Sequence, residues 1–545
     1  MDSPDIHDTR AATIAAPVVI LLFPCINLLV HHQYDLLSLE SFFLFSLAAG
    51  LGCLIGVVAL TYWAVQALCL SFLSSFVLVL QLNTEIQGTL VIFVCLLVLC
   101  LIFRRVSASL IIVFFGAMTL TGMLRGSENL QENADVRPLD SELPIYIHLI
   151  FDAHIGLEGI PTDIPGGTEA KDALSSFLDE RGFTSYPKAY SRYISTANSI
   201  SNLFNFTSDP SNYFRDRITR MSTIHRLEKP KYFEVLRNYG YALRILHPQY
   251  IDYCSANSDW VSSCSGYPNY NLLSLQNSPA SVGYKVKMML QVMLDQSFMV
   301  GKLYFENAEI LGLPELEAAK TPGVNDTVID SLLLDIEQHP AGYAFVVHLL
   351  TPHSPYVYDE NCNHRHERSP ADARGSDPMQ IVQDLANNTV GIASGNNSDE
   401  SRARRYQNYF DQMACTRKWF DQILATLEKS GVADQAVIVA HSDHGSGVSR
   451  TTPLSIFNRN VVPQDIIDHY SSFFATRGVE RDGSEGQFLA LEHILAKVVR
   501  KALSADVSPL NTSNFIYMER GDETQVLDRY DVRDFLQLEA SLSQQ

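Results

Sequence analysis

Charged residues are almost absent between Met1 and about Arg125, and that scarcity limits what the chain can become. Four apolar blocks fill the region. The first runs from about Ala11 to Val30. The second, Ser41 to Leu82, is about twice the ~20 residues a helix needs to cross a bilayer, so it reads as two helices. Their turn falls near Thr61-Tyr62-Trp63, an aromatic group of the kind found at membrane interfaces. The last two blocks cover about Gly88–Phe103 and Ser107–Leu124, which makes five expected spans. Further apolar blocks follow the first and no A-x-A site ends it, so it is not read as a signal peptide. Arg104-Arg105 lies in the tight loop between the last two blocks. Positive loops stay in the cytoplasm, so everything after Arg125 is expected outside it.

The overall composition, 47% hydrophobic and 18% charged, conceals this division. Beyond Arg125 the residues are those of a soluble globular protein. A chain of 545 residues exceeds one ordinary domain. The expected organisation is a transmembrane domain over 1–125, a juxtamembrane linker over 126–143, a large globular domain over 144–505 and a C-terminal extension over 506–545. A net charge of −20 argues against a nucleic-acid partner, which needs a basic face. Five of the nine cysteines lie in the apolar region. The other four, Cys254, Cys264, Cys362 and Cys415, contain no CxxC pair and fit disulfides in an exported domain. The favoured pairing is Cys254–Cys264 as a short local loop, with Cys362–Cys415 as the remainder.

Three apolar runs in the globular part end in polar groups. Pro144-Ile-Tyr-Ile-His-Leu-Ile-Phe-Asp152 ends in Asp152, with His154 just beyond. Ala341 to Pro352 ends before His353. Ala436-Val-Ile-Val-Ala-His-Ser-Asp-His-Gly445 ends in Asp443 and His444. Each reads as a buried parallel strand, and polar groups past the carboxyl end of such strands stand where open α/β sheets keep their sites. The segments between alternate helix and strand: helices over Glu169–Arg181, the second half of Tyr190–Phe204, Tyr232–Tyr239, Arg404–Ser430 and Gln487–Leu503, with strands over Phe183–Tyr186 and Tyr241–His247. The expected class is α/β with a mostly parallel sheet. Cys254 to Gln276 reads as an irregular insertion. Residues from about Ser281 to Leu311 read as a mostly helical, Met-rich excursion.

Asp443, His444 and Asp152 supply oxygen and imidazole ligands suited to Zn²⁺ or Mn²⁺. Ser195-Thr196 stands at a helix start, where hydroxyls cap and where developing negative charge is favoured. His348 lies inside its strand and reads as a core histidine. His154, His441, His469 and His493 are weaker candidates for the site, and Ser195 and Ser199 compete with Thr196 as the reactive hydroxyl. His364 and His366 read as part of a solvated loop.

These motifs, in this order, resemble the sulfatase-like branch of the alkaline phosphatase superfamily. In layout the chain is most similar to membrane-anchored phosphoethanolamine transferases and lipoteichoic acid synthases. Ser195-Thr-Ala-Asn-Ser-Ile-Ser-Asn-Leu-Phe204 resembles their S-T-A-x-S-x-x-x-F, which implies Thr196 as nucleophile. The resemblance implies Asp152, Thr196, Asp443 and His444 as metal ligands, and His353-Ser354-Pro355 as the H-x-P beside the substrate phosphate. It thus implies a sulfatase-like catalytic domain over 144–505, a divalent metal (Zn²⁺ first, Mn²⁺ second) and a multi-pass inner-membrane protein with its catalytic domain in the periplasm. The implied reaction moves a phospho-substituent from a phospholipid donor to an envelope glycan or lipid through a covalent Thr196 ester. Two rivals are hydrolysis of a phosphate or sulfate ester and a non-catalytic envelope scaffold. Two departures stand out: Ser446 occupies the place where the family usually has Glu, and the signature C/S-x-P/A-x-R of formylglycine sulfatases is absent around Thr196.

Overall fold

The computed structural model describes residues 5–82, 86–103, 106–125, 131–133, 135–208, 214–219, 222–267, 272–277, 280–295, 324–354, 356–363, 399–450, 453, 461–507, 513–519 and 527–531. Arg104, Arg105, Pro355, His364 and His366 lie outside them. The chain divides into two compact units.

The first unit holds residues 1–128 together with 218–223 and 270–323. Five helices occupy the apolar region: α1 (Asp5–His31), α2 (Leu39–Ala59), α3 (Trp63–Leu82), α4 (Ile86–Ile102) and α5 (Ser107–Arg125). The break between α2 and α3 falls at Leu60–Tyr62, at the aromatic turn read from sequence. Two segments, Arg10–His31 and Leu39–Ala59, are long and apolar enough to cross a bilayer; α3, α4 and α5 carry shorter apolar stretches. Large apolar side chains such as Phe42, Leu54, Val57 and Phe114 face outward, as lipid contact would allow. α1 and α2 approach closely at Gly52 and Gly56. A Cβ on Gly52 would lie 2.6 Å from Val18 Cα, and one on Gly56 2.7 Å from Ile14 Cα. Small residues four apart are the usual means by which membrane helices touch backbone to backbone. The Met-rich excursion contains a helix, Val282–Asp295, whose Met288 and Met289 share a core with Cys25, Leu28 and Leu44.

The second unit is built on an eight-stranded sheet. Its strands are β1 (Gln131–Glu132), β2 (Tyr146–Phe151), β3 (Thr184–Ser185), β4 (Ala242–Pro248), β5 (Val261–Tyr267), β6 (Tyr343–Leu349), β7 (Val437–His441) and β8 (Phe474–Arg477). The order across the sheet is β1-β5-β4-β6-β2-β7-β8-β3. The run from β5 to β7 is parallel, and β1, β8 and β3 close the edges antiparallel. β2, the central apolar run, pairs with β6 on one side and β7 on the other. All its residues are buried, which is why it reads as a continuous apolar run.

Helices cover both faces. One face packs under α6 (Gly167–Glu180), α9 (Val324–Gln338) and α10 (Asp399–Lys429), with Leu174, Leu332, Phe420 and Leu424 in its core. The other packs under α7 (Thr196–Asn205), α8 (Lys231–Tyr239) and α12 (Leu491–Leu503), with Leu203, Phe204, Phe233 and Leu495. A short helix, α11 (Pro463–Tyr470), precedes β8, and a hairpin of β9 (Phe515–Glu519) and β10 (Leu527–Asp531) lies in the C-terminal extension.

One sequence expectation fails here. Cys254–Gln276 is not an irregular insertion: it contains β5, a full member of the sheet, and a short helix, Leu272–Asn277. The run Val-Ser-Ser-Cys-Ser-Gly-Tyr lacks the apolar signal of a strand, and its serines are satisfied by the neighbouring strand. Ser262 Oγ, for example, donates to Leu243 O across 3.0 Å. The Cys254–Cys264 disulfide ties β5 to the preceding turn, and Cys362–Cys415 joins the segment after β6 to α10. Both pairings agree with the sequence reading.

Candidate active site

Parallel pairing brings the carboxyl ends of β2, β4, β6 and β7 to one edge of the sheet. Asp152 directly follows β2, and its backbone is fixed to the end of β6: Asp152 N donates to Leu349 O, and His353 N donates to Asp152 O. The next residue, Ala153, has φ of 60°, a left-handed conformation that a non-glycine residue adopts at some cost. That conformation aims Ala153 N at Asp443 Oδ1, 2.9 Å away.

Asp443 and His444 follow β7. His444 Nδ1 donates to Gly445 O at 2.8 Å, so its Nε2 carries the lone pair. That nitrogen stands 3.6 Å from Asp152 Oδ1 and 3.4 Å from Asp443 Oδ2. Burial opposes a charge on His444, but Asp443 and Asp152 outweigh it and raise the imidazole above its ordinary pKa. Gly445 serves by its size. A Cβ there would lie 2.7 Å from Asp468 O, and Gly445 N donates to His469 O. Ser446 joins the same anchor: its hydroxyl donates to Asp468 O and meets Tyr406 OH. Asp468 itself is held by Arg402, Tyr406 and Gln464.

His348, read from sequence as a core histidine, points into the cluster. Tyr253 OH holds its Nδ1 at 2.9 Å, and its Nε2 is 4.0 Å from Asp152 Oδ2. Burial pushes its pKa down to about 4 in spite of Asp443. Three buried atoms, Asp152 Oδ1, Asp443 Oδ2 and His348 Nε2, have no hydrogen-bond partner. Ligand atoms of these three residues lie within 4.8 Å of one another. Unpaired carboxylate oxygens in a buried place are costly, and a divalent cation is the group that satisfies two of them with an imidazole nitrogen. The donor set therefore fits the divalent metal that the resemblance implies.

Thr196 opens α7, and nearby on the sheet edge the Tyr250 phenol donates to Asp152 Oδ2 at 3.1 Å. The rivals of Thr196 are occupied elsewhere. Ser195 Oγ accepts from Asn198, and buried Ser199 donates to the Asp443 carbonyl. His353 lies across the cluster, its ring 6.3 Å from that of His444, with Nδ1 on Ser354 O. Gln412 grips the carbonyls of Pro352 and His353.

The weaker candidates do not join. His154 turns away, with Nδ1 on Ile155 O and its ring against Phe473. His441 pairs with His148, Nε2 to Nε2 at 2.6 Å, and His148 continues to Tyr232. His469 bonds Ser449 behind the Gly445 loop. His493 lies in α12, beside the buried Arg192–Glu492 ion pair. Tyr250 and Tyr253 went unnoticed in the sequence. Their one signal is position, a few residues beyond the end of β4, within a chain of 24 tyrosines.

Residues 166–467 match the family model described as Sulfatase, more than half of the chain. The protein belongs to this family, within the alkaline phosphatase superfamily. No curated protein matches the chain. Among solved structures it is similar to the C-terminal periplasmic domain of EcEptC from Escherichia coli, at 12% identity and a TM-score of 0.38, over 74% of this chain and 95% of that one. It is also similar to the phosphonate monoester hydrolase of Agrobacterium radiobacter (10%, TM-score 0.39, 72% and 90%) and to the putative sulfatase yidJ from Bacteroides fragilis (10%, TM-score 0.37, 73% and 84%).

Proposed function

We propose that the protein is a membrane-bound, metal-dependent phosphotransferase. It moves a phospho-substituent, such as phosphoethanolamine or phosphoglycerol, from a lipid donor to an envelope glycan or lipid through a covalent ester on Thr196. The observation that carries the reading is the buried cluster of unpaired Asp152 and Asp443 oxygens beside the start of α7, which opens at Thr196 and is tied one turn on, through Ser199, to the Asp443 carbonyl. Asp152, Asp443 and His444 would hold the cation, Zn²⁺ or Mn²⁺, with the unpaired His348 Nε2 facing the same carboxylates and Thr196 beside it. When bound, it supplies positive charge that favours ionisation of a nearby hydroxyl and neutralises phosphoryl oxygens.

This chain's own residues do the rest. Thr196 Oγ1 gives up its proton and forms the new bond to phosphorus as the donor's ester bond breaks, and the departing oxygen takes up a proton in exchange. His353 stands where it can hold a phosphoryl oxygen or deliver that proton, its ring fixed through Ser354 O and its carbonyl held by Gln412. The α7 amino terminus adds exposed backbone N–H groups near the developing charge. The acceptor hydroxyl then attacks the Thr196 ester and frees the enzyme. The apolar helices keep such a site close to the bilayer, where a lipid donor resides, and the Arg104-Arg105 loop supports a periplasmic catalytic domain.

The family match favours a second reading, hydrolysis of a phosphate or sulfate ester with water as acceptor. One experiment addresses both. Full-length Thr196→Ala protein in detergent is given a fluorescent phospholipid donor, with and without a glycan acceptor. The variant should lose at least about 100-fold in turnover, and the wild type should give an acceptor-linked product. Wild-type turnover by Thr196→Ala removes the covalent route; a product that ignores the acceptor favours hydrolysis.

A further inference from the structure

We propose that three residues of α10, Tyr406, Tyr409 and Gln412, are positioning residues that set the spacing between the loops of the candidate site. The inference rests on the phosphotransferase reading above. β6, β2 and β7 stand side by side in the sheet, and the loop after each carries a group of the site: His353, Asp152, and Asp443 with His444. Beyond the last ladder pairs, the backbone groups of these loops need other partners. α10 supplies them one loop at a time. Tyr406 OH meets Ser446 Oγ at 2.9 Å and donates to Asp468, whose carbonyl accepts from Ser446, so it holds the loop after β7. Tyr409 OH donates to Ala153 O and accepts from Ile155 N, both at 2.8 Å, so it holds the loop after β2. Gln412 holds the loop after β6 at three points. Its Nε2 donates to Pro352 O at 3.1 Å and to His353 O at 2.9 Å, and its Oε1 accepts from Val357 N at 2.7 Å.

The three residues are three apart in sequence, and they meet the loops in the order β7, β2, β6, which is the order of those strands across the sheet. A three-residue step rises about 4.5 Å along a helix, close to the ~4.8 Å between neighbouring strands. One helix face can therefore serve one loop per step. The next step is Cys415, whose disulfide to Cys362 holds the segment after β6 further on. Beyond it the buried face of α10 turns largely apolar, through Phe420, Ile423, Leu424 and Leu427. Tyr406, Tyr409 and Gln412 are all 1% exposed or less. Polar tips so deeply buried must be bonded, and each of these is bonded outside its own helix. A displacement of about 1 Å among reacting groups forfeits orders of magnitude in rate. α10 fixes the three loops against one another without touching substrate.

The test uses Gln412→Met and Tyr409→Phe in the full-length protein, since each keeps the bulk of the side chain and removes its ties to one loop. Metal content by mass spectrometry and the melting temperature check the site and the fold. Hydrogen exchange then reads each loop without turnover. Gln412→Met should quicken exchange at least about 10-fold in the peptide that holds Val357 and leave the peptide that holds Ile155 at its wild-type rate; Tyr409→Phe should do the reverse. With the fluorescent phospholipid donor, kcat should fall about 10- to 100-fold in each variant while KM stays at the wild-type value. Exchange that quickens in both peptides in either variant makes the stripe a general support of the fold and overturns the proposal. Unchanged kcat overturns it too, as does a raised KM at unchanged kcat, the mark of a substrate contact. If one variant does not fold, the other decides; loss of the fold in both overturns the proposal. Failure of the covalent reading would appear separately, as wild-type turnover by Thr196→Ala.

Discussion

Asp443 and His444 each spend one atom on the backbone and turn another towards the cluster. Asp443 Oδ1 accepts from Ala153 N while Oδ2 has no partner, and His444 Nδ1 is bound to Gly445 O while Nε2 faces two carboxylates. Asp443→Asn should therefore remove the metal and leave the loop in place. Metal analysis of the purified variant is expected to show loss of stoichiometric Zn²⁺ or Mn²⁺, with a circular dichroism spectrum like that of the wild type; full metal content would remove Asp443 from the site. At this scale the sequence was informative wherever chemistry interrupts an apolar run. Asp152, Asp443 and His444 announce themselves as polar groups at strand ends. His348 does not, because a histidine within a buried strand looks the same whether its second nitrogen is satisfied or aimed at a site. Ser446, where the family has Glu, is an anchor to Asp468 and Tyr406 rather than a gap.

Among the elements, one central strand and the short helix α11 each carry a deeply buried histidine. His148 lies in β2 and His469 in α11; burial drives both below the ordinary imidazole pKa, His469 to about 3. The unfolded chain takes up a proton at each below about pH 6.5, whereas the folded domain does not. Stability from these two is complete above that value and is lost as the pH falls, by up to about 1.4 kcal/mol per pH unit for each. Urea midpoints measured from pH 7.5 to 5 should fall steadily, and His469→Gln should flatten the slope; a pH-independent midpoint would contradict this. In the unit of apolar helices, Gly56→Leu should separate α1 from α2, because Ile14 Cα leaves no room for a Cβ. The expected readout is a lower melting temperature in detergent, by an amount that corresponds to about 1–3 kcal/mol. The strands and helices were legible from period and length. β5 was not, since its serines find partners only once β4 is beside it. Nor was the His148–His441 pair, which depends on the register between β2 and β7.

For the whole molecule, two disulfides lie in the sulfatase-like unit, as an oxidising compartment would allow. Cys362 and Cys415 are 53 residues apart, a loop whose closure in the unfolded chain is worth ~4 kcal/mol on the chain-entropy account. Reduction with a phosphine before thermal melting should lower the transition accordingly, and Cys254→Ser/Cys264→Ser should lower it less, since that loop is shorter. Equal losses would point to effects other than loop length. The sheet order has a further consequence, one of timing. β2 is the first long strand of the sheet to be made, yet its neighbours are β6, which begins at Tyr343, and β7, which begins at Val437. β3 waits longer still, for β8 at Phe474. During synthesis this fully buried strand must therefore remain without its sheet partners until most of the chain has been made, a window in which it can pair wrongly or aggregate. A chain ordered this way meets that hazard while it is being made, long before any substrate reaches its site.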